Sequence, residues 1–252
     1  MTLITGCSSG LGLALTREVL ARGHHVIATL RNPEKTADLD EGIVIDVLVN
    51  NSGFAVLQTI EQVTEAEVRA ETETLYFGPL RLVQAILPQM RRQRFGVIIY
   101  ISSGAGLEAR PSMGIYGAAK AAGDAMTKTL AKEVAPFNVR ALYVSLGGFR
   151  TNMGNSTHTG SQPLEGDYAG GEADQTIRFM ASGAFQGRGD PTKVAKAIFD
   201  VATAQGVGRG HENATLLPLG SDVDVRIGEV RKKLDDALTV FGDVCNSVQV
   251  DD

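Results

Sequence analysis

Tyr116 and Lys120 stand four residues apart in Tyr116-Gly-Ala-Ala-Lys120, thirteen residues after Ser103, and that spacing has a use in proton chemistry. Apolar and small positions Ala118, Ala122, Ala125, Met126 and Thr129 recur around the pair at helical spacing, which puts Tyr116 and Lys120 on adjacent turns of one helix face. A phenol with a pKa of about 10 moves protons poorly at neutral pH, and a fixed ammonium beside it favours the phenolate. A Tyr and a Lys at that spacing are also ordinary neighbours on a helix surface, so the pair has to be read in context. The run Gly96-Val97-Ile98-Ile99-Tyr100-Ile101 reads as a buried strand that delivers Ser102 and Ser103 to its C-terminal end, where open α/β sheets place their ligands.

A second group has the composition of a phosphate cradle. Strand Thr2-Leu3-Ile4-Thr5 runs into Gly6-Cys7-Ser8-Ser9-Gly10-Leu11-Gly12, and Leu11, Leu15 and Val19 then mark a helix that ends before Gly23. Glycines let the backbone approach a pyrophosphate, while free N–H groups and the positive end of the helix dipole hold its charge. The spacing GxxxGxG is also compatible with a simple tight turn. The second strand, His25 to Leu30, ends at Arg31. In a dinucleotide fold that point meets the adenosine ribose, where a carboxylate accepts from the 2′-hydroxyl and an arginine pairs with a 2′-phosphate. Leu30 and Arg31 stand there without a carboxylate, so the chain leans towards NADP(H) over NAD(H), with a solvated surface arginine as the competing reading.

The remaining elements position these groups. Gly42 to Val49 is an apolar run leading to Asn50-Asn51-Ser52-Gly53, and Thr64-Glu-Ala-Glu67 has the form of a capping box opening a helix. Leu80, Val83, Leu87 and Met90 carry an apolar face onward to Arg91-Arg92, with Pro88 expected to bend it. Val139 to Val144 reads as a buried strand followed by Gly147-Gly148-Phe149-Arg150-Thr151, Lys193 to Ala204 as a helix, Ala214 to Leu217 as a last strand, and Arg226 to Phe241 as a charged amphipathic helix. The stretch 152–190, rich in Gly, Ser, Thr and Asp with one short apolar patch at Ile177 to Met180, reads as a long irregular substrate lid. The alternation predicts a doubly wound α/β fold with a mainly parallel sheet, one Rossmann-like domain over 1–252 with that insertion.

Composition narrows the function. The 252 residues are 43% hydrophobic and 21% charged, an ordinary globular balance, and a net charge of −5 without a basic block argues against nucleic acid or an acidic membrane as partner. Cys7 and Cys245 suggest no disulfide framework, and the four histidines lack metal-ligand spacing, so no metal site is expected. The chain opens directly on a strand and holds no apolar run of membrane-spanning length, which makes cytoplasmic the default location.

Together these motifs resemble the classical short-chain dehydrogenase/reductase family: TGxxxGxG at Thr5 to Gly12, an NNAG-like Asn50-Asn51-Ser52-Gly53, Ser103, the Tyr116/Lys120 pair and the turn ending in Thr151. The resemblance implies an oxidoreductase on a small-molecule carbonyl or alcohol, in which Ser103 polarises the substrate oxygen and Tyr116 exchanges its proton. Lys120 would lower the Tyr116 pKa and hold the nicotinamide ribose. Gly6, Ser8, Ser9, Gly10, Leu11 and Gly12 would hold the pyrophosphate, Asn51, Ser52 and Gly53 would line the cofactor, and Gly147 and Thr151 would reach its amide end. The helices around 65–92 and 116–135 resemble those that form homodimers or homotetramers in that family.

Three departures qualify the resemblance. Only about a dozen residues separate Arg31 from the Ile43 run, where the family has a third strand, a helix and the start of a fourth strand; Gly42-Ile-Val-Ile45 looks like the start of the third strand joined to the fourth, with an edge strand missing. Leu75 stands where the family has a helix asparagine that links the lysine to a water relay, and Leu146 stands where it has a proline. The alternative reading is a cofactor-binding or non-catalytic truncated relative.

Overall fold

The computed structural model describes residues 1–30, 43–151 and 156–250. Six strands form one parallel sheet: β1 (Thr2–Ile4), β2 (Val26–Ala28), β3 (Val47–Asn50), β5 (Gly96–Ile101), β6 (Val139–Leu146) and β8 (Leu216–Leu219), in the order β2-β1-β3-β5-β6-β8. A separate two-stranded parallel sheet pairs β4 (Ala55–Leu57) with β7 (Thr157–Thr159).

The continuous apolar runs follow from burial on both faces, since successive strand residues point to opposite sides. Ile4, Val49, Ile99 and Val144 face one core, against Leu11, Leu15 and Val19 of α1 (Gly10–Ala21) and Val194, Ile198 and Phe199 of α6 (Pro191–Ala202). Their neighbours Leu3, Leu48, Ile98 and Ala141 face the other, against Val83 and Met90 of α3 (Gly78–Gln93) and Leu130 and Val134 of α4 (Gly114–Val134). This is the doubly wound α/β fold expected. From β1 the chain goes outward to β2, then returns to β3 on the other side and continues to β5 and β6. The strand order therefore switches between β1 and β3, and ligands of such sheets bind at the carboxyl ends there.

The capping box forms at the start of α2 (Glu65–Thr72): Thr64 N donates to Glu67 Oε2 at 2.9 Å and Glu67 N donates to Thr64 Oγ1 at 3.3 Å. Residues Glu73–Phe77 then wind as a π-helical turn before α3. β2 pairs with β1 alone, so it is the sheet edge among the described residues.

Several expectations change. The apolar run at 43–46 does not join β3 as strand; the Gln89 side chain takes up Ile45 instead, accepting from its N–H at 3.0 Å and donating to its carbonyl at 2.9 Å. An amide side chain thus stands in for a ladder partner. The described part of 156–190 is not irregular, because β4 offers an edge on which β7 pairs and α5 (Glu172–Ala181) then buries Ile177. Gln58 and Gln62 tie it down further, donating to the carbonyls of Gln162 and Pro163 at 2.8 and 2.9 Å. The last helix, α7 (Ser221–Ser247), starts earlier and ends later than its charge pattern suggested. Arg31 and the connector that follows it lie outside the described residues. No described helix is long and apolar enough to cross a membrane.

Candidate functional site

Thr5, the last residue before the glycine turn, latches two strand ends together. Its hydroxyl accepts from the N–H groups of Asn51 and Ser52, both at 2.9 Å, and the Asn51 side chain donates to the Thr5 carbonyl at 2.8 Å and the Gly6 carbonyl at 3.3 Å. Asn51 therefore shapes the cradle through its side chain. The glycine types are required here: Gly6 and Gly10 are left-handed, with φ of 71° and 56°. A methyl at Gly12 would sit 2.2 Å from the Gly6 carbonyl oxygen. A groove of about 550 Å³ runs beside this turn, bounded by Ser9, Gly10, Arg17, Thr151 and Thr192. Close backbone at the helix start fits a pyrophosphate, while the groove itself runs on along α1 past Leu13 and Ala21 and is not lined by Ser103, Tyr116 or Lys120.

The route from cradle to chemistry is short. Gly6 packs on Ser52, and a methyl on the neighbouring Gly53 would lie 3.2 Å from Leu75 Cδ2 and 3.8 Å from Lys120 Nζ. Lys120 is 4% exposed and donates to the Ile101 carbonyl at 2.7 Å, so the strand that delivers Ser103 also anchors the lysine. Its ammonium lies 5.8 Å from the Tyr116 ring centre and 5.1 Å from that of Tyr100. Tyr116, 7% exposed, has the Ser103 side chain as its polar neighbour. Ser103 in turn is held by its own turn, its Oγ accepting from Ala105 N at 3.2 Å. The structure thus brings Ser103, Tyr116 and Lys120 together beside Asn51-Ser52-Gly53.

Electrostatics in this pocket differ from the simple picture of a lysine lowering a phenol. Burial pushes Tyr116 up to about 12, opposed by the neighbouring Ser103 hydroxyl and reinforced by the carboxylates of Glu71 and Asp124. Burial likewise brings Lys120 down to about 8, with Asp124 and Glu71 pulling the other way. Desolvation is the largest cause in both cases.

Glu71 and Asp124 were not singled out by sequence. Glu71 is fully buried; its Oε1 accepts from Val56 N at 3.1 Å while its Oε2 has no hydrogen-bond partner, and burial raises its pKa to about 7. Asp124, one turn beyond Lys120 on α4, is raised to about 6 by burial, with Ser102 and Lys120 opposing. The signal for Asp124 was its i, i+4 spacing from Lys120, on the face that already carried Tyr116.

Leu75 is a core residue here, fully buried in the π-helical turn among Ala55, Ala105, Tyr116 and Ala119. Its carbonyl accepts from the Tyr100 hydroxyl at 2.8 Å. That tyrosine fits because residue 123 is glycine: a methyl there would lie 2.2 Å from Tyr100 Cζ. Leu146 ends β6 in register with Leu219 of β8, but the bond to the Leu219 carbonyl comes from Gly147 N at 2.9 Å, and nothing in the structure explains leucine in place of proline. Beyond it, Gly147 faces Asp222, where a methyl would lie 1.8 Å from Oδ1, and Gly148 N donates to the same carboxylate at 3.2 Å. Arg226 bonds Asp222 at 2.9 Å and Glu108 at 3.1 Å and packs under Gly104, so α7 braces the loops after both β5 and β6.

The chain is similar to known proteins along most of its length. Residues 40–162 match the family model described as short chain dehydrogenase. Oxidoreductase calM of Penicillium decumbens is 30% identical, over 94% of this chain and 89% of that protein. Its alignment runs over 277 positions, more than the 252 residues here, so that relative holds stretches this chain lacks. Oxidoreductase claN of Passalora fulva is 35% identical over 60% of this chain and 83% of its own length. Among solved structures, a short-chain dehydrogenase from Streptomyces avermitilis superposes with a TM-score of 0.86 at 30% identity, covering 98% of both chains. A serine dehydrogenase complexed with NADP+ shares the fold, with a TM-score of 0.69 at 23% identity over 86% of this chain and 93% of that one. Likeness at this identity along nearly the whole of both chains reflects common descent, and this chain belongs to the short-chain dehydrogenase/reductase family of oxidoreductases.

Proposed function

We propose that this oxidoreductase interconverts a carbonyl and an alcohol on a small to medium, partly apolar substrate, with NADP(H) as the preferred cofactor. The observation that carries the reading is Ser103 beside the buried Tyr116, with the Lys120 ammonium buried 5.8 Å from the Tyr116 ring centre. When bound, the nicotinamide supplies or accepts the hydride. Ser103 donates to the substrate oxygen and stabilises the charge that develops on it. Tyr116, raised to about 12, is protonated at neutral pH and gives its hydroxyl proton to that oxygen in the reducing direction. Lys120 faces the phenolate left behind, and its positive charge steadies the anion and orients the ribose.

The residues for the nucleotide are Gly6, Ser8, Ser9, Gly10, Leu11 and Gly12 at the pyrophosphate, Asn51, Ser52 and Gly53 along the wall, and Gly147 and Thr151 at the amide end. Solved structures of the same fold are described with NADP+ or with NADH, so the choice rests on Arg31 and the lack of a carboxylate at Leu30. Apolar substrate character is supported by Phe185, whose ring approaches Gly148 and meets Phe179 edge-on at 6.3 Å. The single domain carries the described residues 156–190 as a cover over the site; the Ser112 hydroxyl donates to the Ala173 carbonyl at 2.8 Å, joining that segment to the loop before Tyr116. Homodimer or homotetramer formation through α2 to α4 fits the groove around Val68 and Phe77 on α2 and the turn after it.

A second reading, a cofactor-binding protein without turnover, draws on the thin edge at β2. Titration with NADPH and NADH, followed by turnover on a panel of aldehydes and ketones, separates the two. Tight NADPH binding with turnover that Tyr116→Phe abolishes supports the enzyme, whereas tight binding with no turnover in the wild type supports the second reading. Failure to bind either nucleotide overturns both.

A further inference from the structure

The last helix carries an apolar stripe that the body of the protein covers only at its start. Ile227, Val230, Leu234, Ala237, Phe241 and Val244 follow one another at alternating spacings of three and four. A repeat of 3.5 residues keeps one line of side chains facing a neighbouring helix, which is the seam of a coiled coil. Val223, four residues before Ile227 on the same stripe, is fully buried in the body. Every residue from Arg231 to Phe241 is exposed, with Leu234 and Phe241 each at 62% and Val244 at 59%. The stripe is thus continuous, while its cover stops near Val230. A free helical segment of that length is marginal in water, because propagation barely offsets the cost of nucleation without tertiary packing.

We propose that α7 pairs, antiparallel, with α7 of a second copy of this chain along this seam. Packing volume sets the direction. In an antiparallel pair Phe241 lies opposite Ala237 and Leu234 opposite Val244, so each layer joins a large side chain to a smaller one. A parallel pair in register would put Phe241 on Phe241 and leave a gap between two Ala237 residues. Joining two such seams buries on the order of 1,000 Å² in total, where specific interfaces begin. Charge disfavours a membrane surface as the occupant: from Glu229 to Val244 the helix sets Glu229, Asp235, Asp236 and Asp243 against Arg231, Lys232 and Lys233, without the excess of Lys and Arg a lipid-bound helix would carry. The pairing stands apart from the catalytic reading and from any contact through α2 to α4.

The test is the mass of the full chain in solution, by sedimentation and light scattering at micromolar concentration, for wild type, Leu234→Asp, Phe241→Asp and the opposite-face control Thr239→Asp. Each seam variant is expected to halve the mass while keeping the wild-type unfolding midpoint of the body, and the control to leave the mass unchanged. A monomeric wild type overturns the proposal, and so does a seam variant with wild-type mass. Direction is read by cross-linking with Cys7 and Cys245 replaced by serine. Leu234→Cys combined with Val244→Cys should form a disulfide-linked dimer and Phe241→Cys alone should not; the reverse pattern overturns the antiparallel arrangement.

Discussion

The two sides of the switch point between β1 and β3 are built to different depths. On one side all six residues of β5 are buried, β6 runs for eight residues, and α4 plants Tyr116, Lys120 and Asp124 between them. On the other, β2 has three residues, none fully buried, and pairs with β1 alone among the described residues. The difference teaches that the proposed reacting groups are held by an over-determined core. In the proposed complex the far half of the nucleotide, by contrast, meets a thin edge, where affinity would rest on the glycine turn and a few side chains.

The sharpest way to break this comparison is Tyr116→Phe. Removing the transferable proton is expected to lower turnover by about 10²- to 10⁴-fold while NADPH affinity, measured by titration, stays within about twofold. Retained turnover would show that the deeper side is not where the chemistry lies. Gly12→Ala tests the cradle on which both sides depend. Its methyl would meet a backbone oxygen rather than a mobile side chain, so overpacking of about 1–3 kcal/mol should weaken NADPH by about ten- to a hundredfold. Unchanged affinity would mean that the nucleotide does not rest on this turn.

Arg31→Ala tests the proposed preference for NADPH. Losing a charge-assisted bond to phosphate, worth roughly 1.5–3 kcal/mol, should reduce the preference for NADPH over NADH by about tenfold, and equal affinities in the unaltered protein would remove the basis for that preference. The smallest effect is expected from Glu71→Gln, read as stability against pH. Glu71 is raised by burial from its ordinary 4.5 to about 7, so between those values the folded chain holds a proton that the unfolded chain has released. Stability therefore falls as pH rises through that window, and the glutamine should flatten the fall by on the order of 1–3 kcal/mol at pH 7. Asp124, raised from 3.8 to about 6, keeps its own smaller fall at lower pH. Chemical denaturation of both proteins at pH 5 and pH 7.5 reads the difference, and identical slopes would show that Glu71 is not the titrating group.

Sequence alone determined the order and kind of most elements and singled out Ser103, Tyr116 and Lys120, which the fold brings together. Local patterns suffice for these: apolar runs for β1, β5 and β6, a capping box for α2, a glycine turn, and a tyrosine and lysine one helical turn apart. Tertiary structure alone decided what surrounds them. Gln89 takes up Ile45 in place of a strand, Tyr100 fills the space left at Gly123 and bonds the Leu75 carbonyl, and β7 finds β4 across a hundred residues. Whether Tyr116 rises or falls from the ordinary value of a phenol was also beyond local pattern. The i, i+4 spacing places a positive charge nearby, but the sign follows from desolvation and from two buried carboxylates, and burial depends on every element packed around the site.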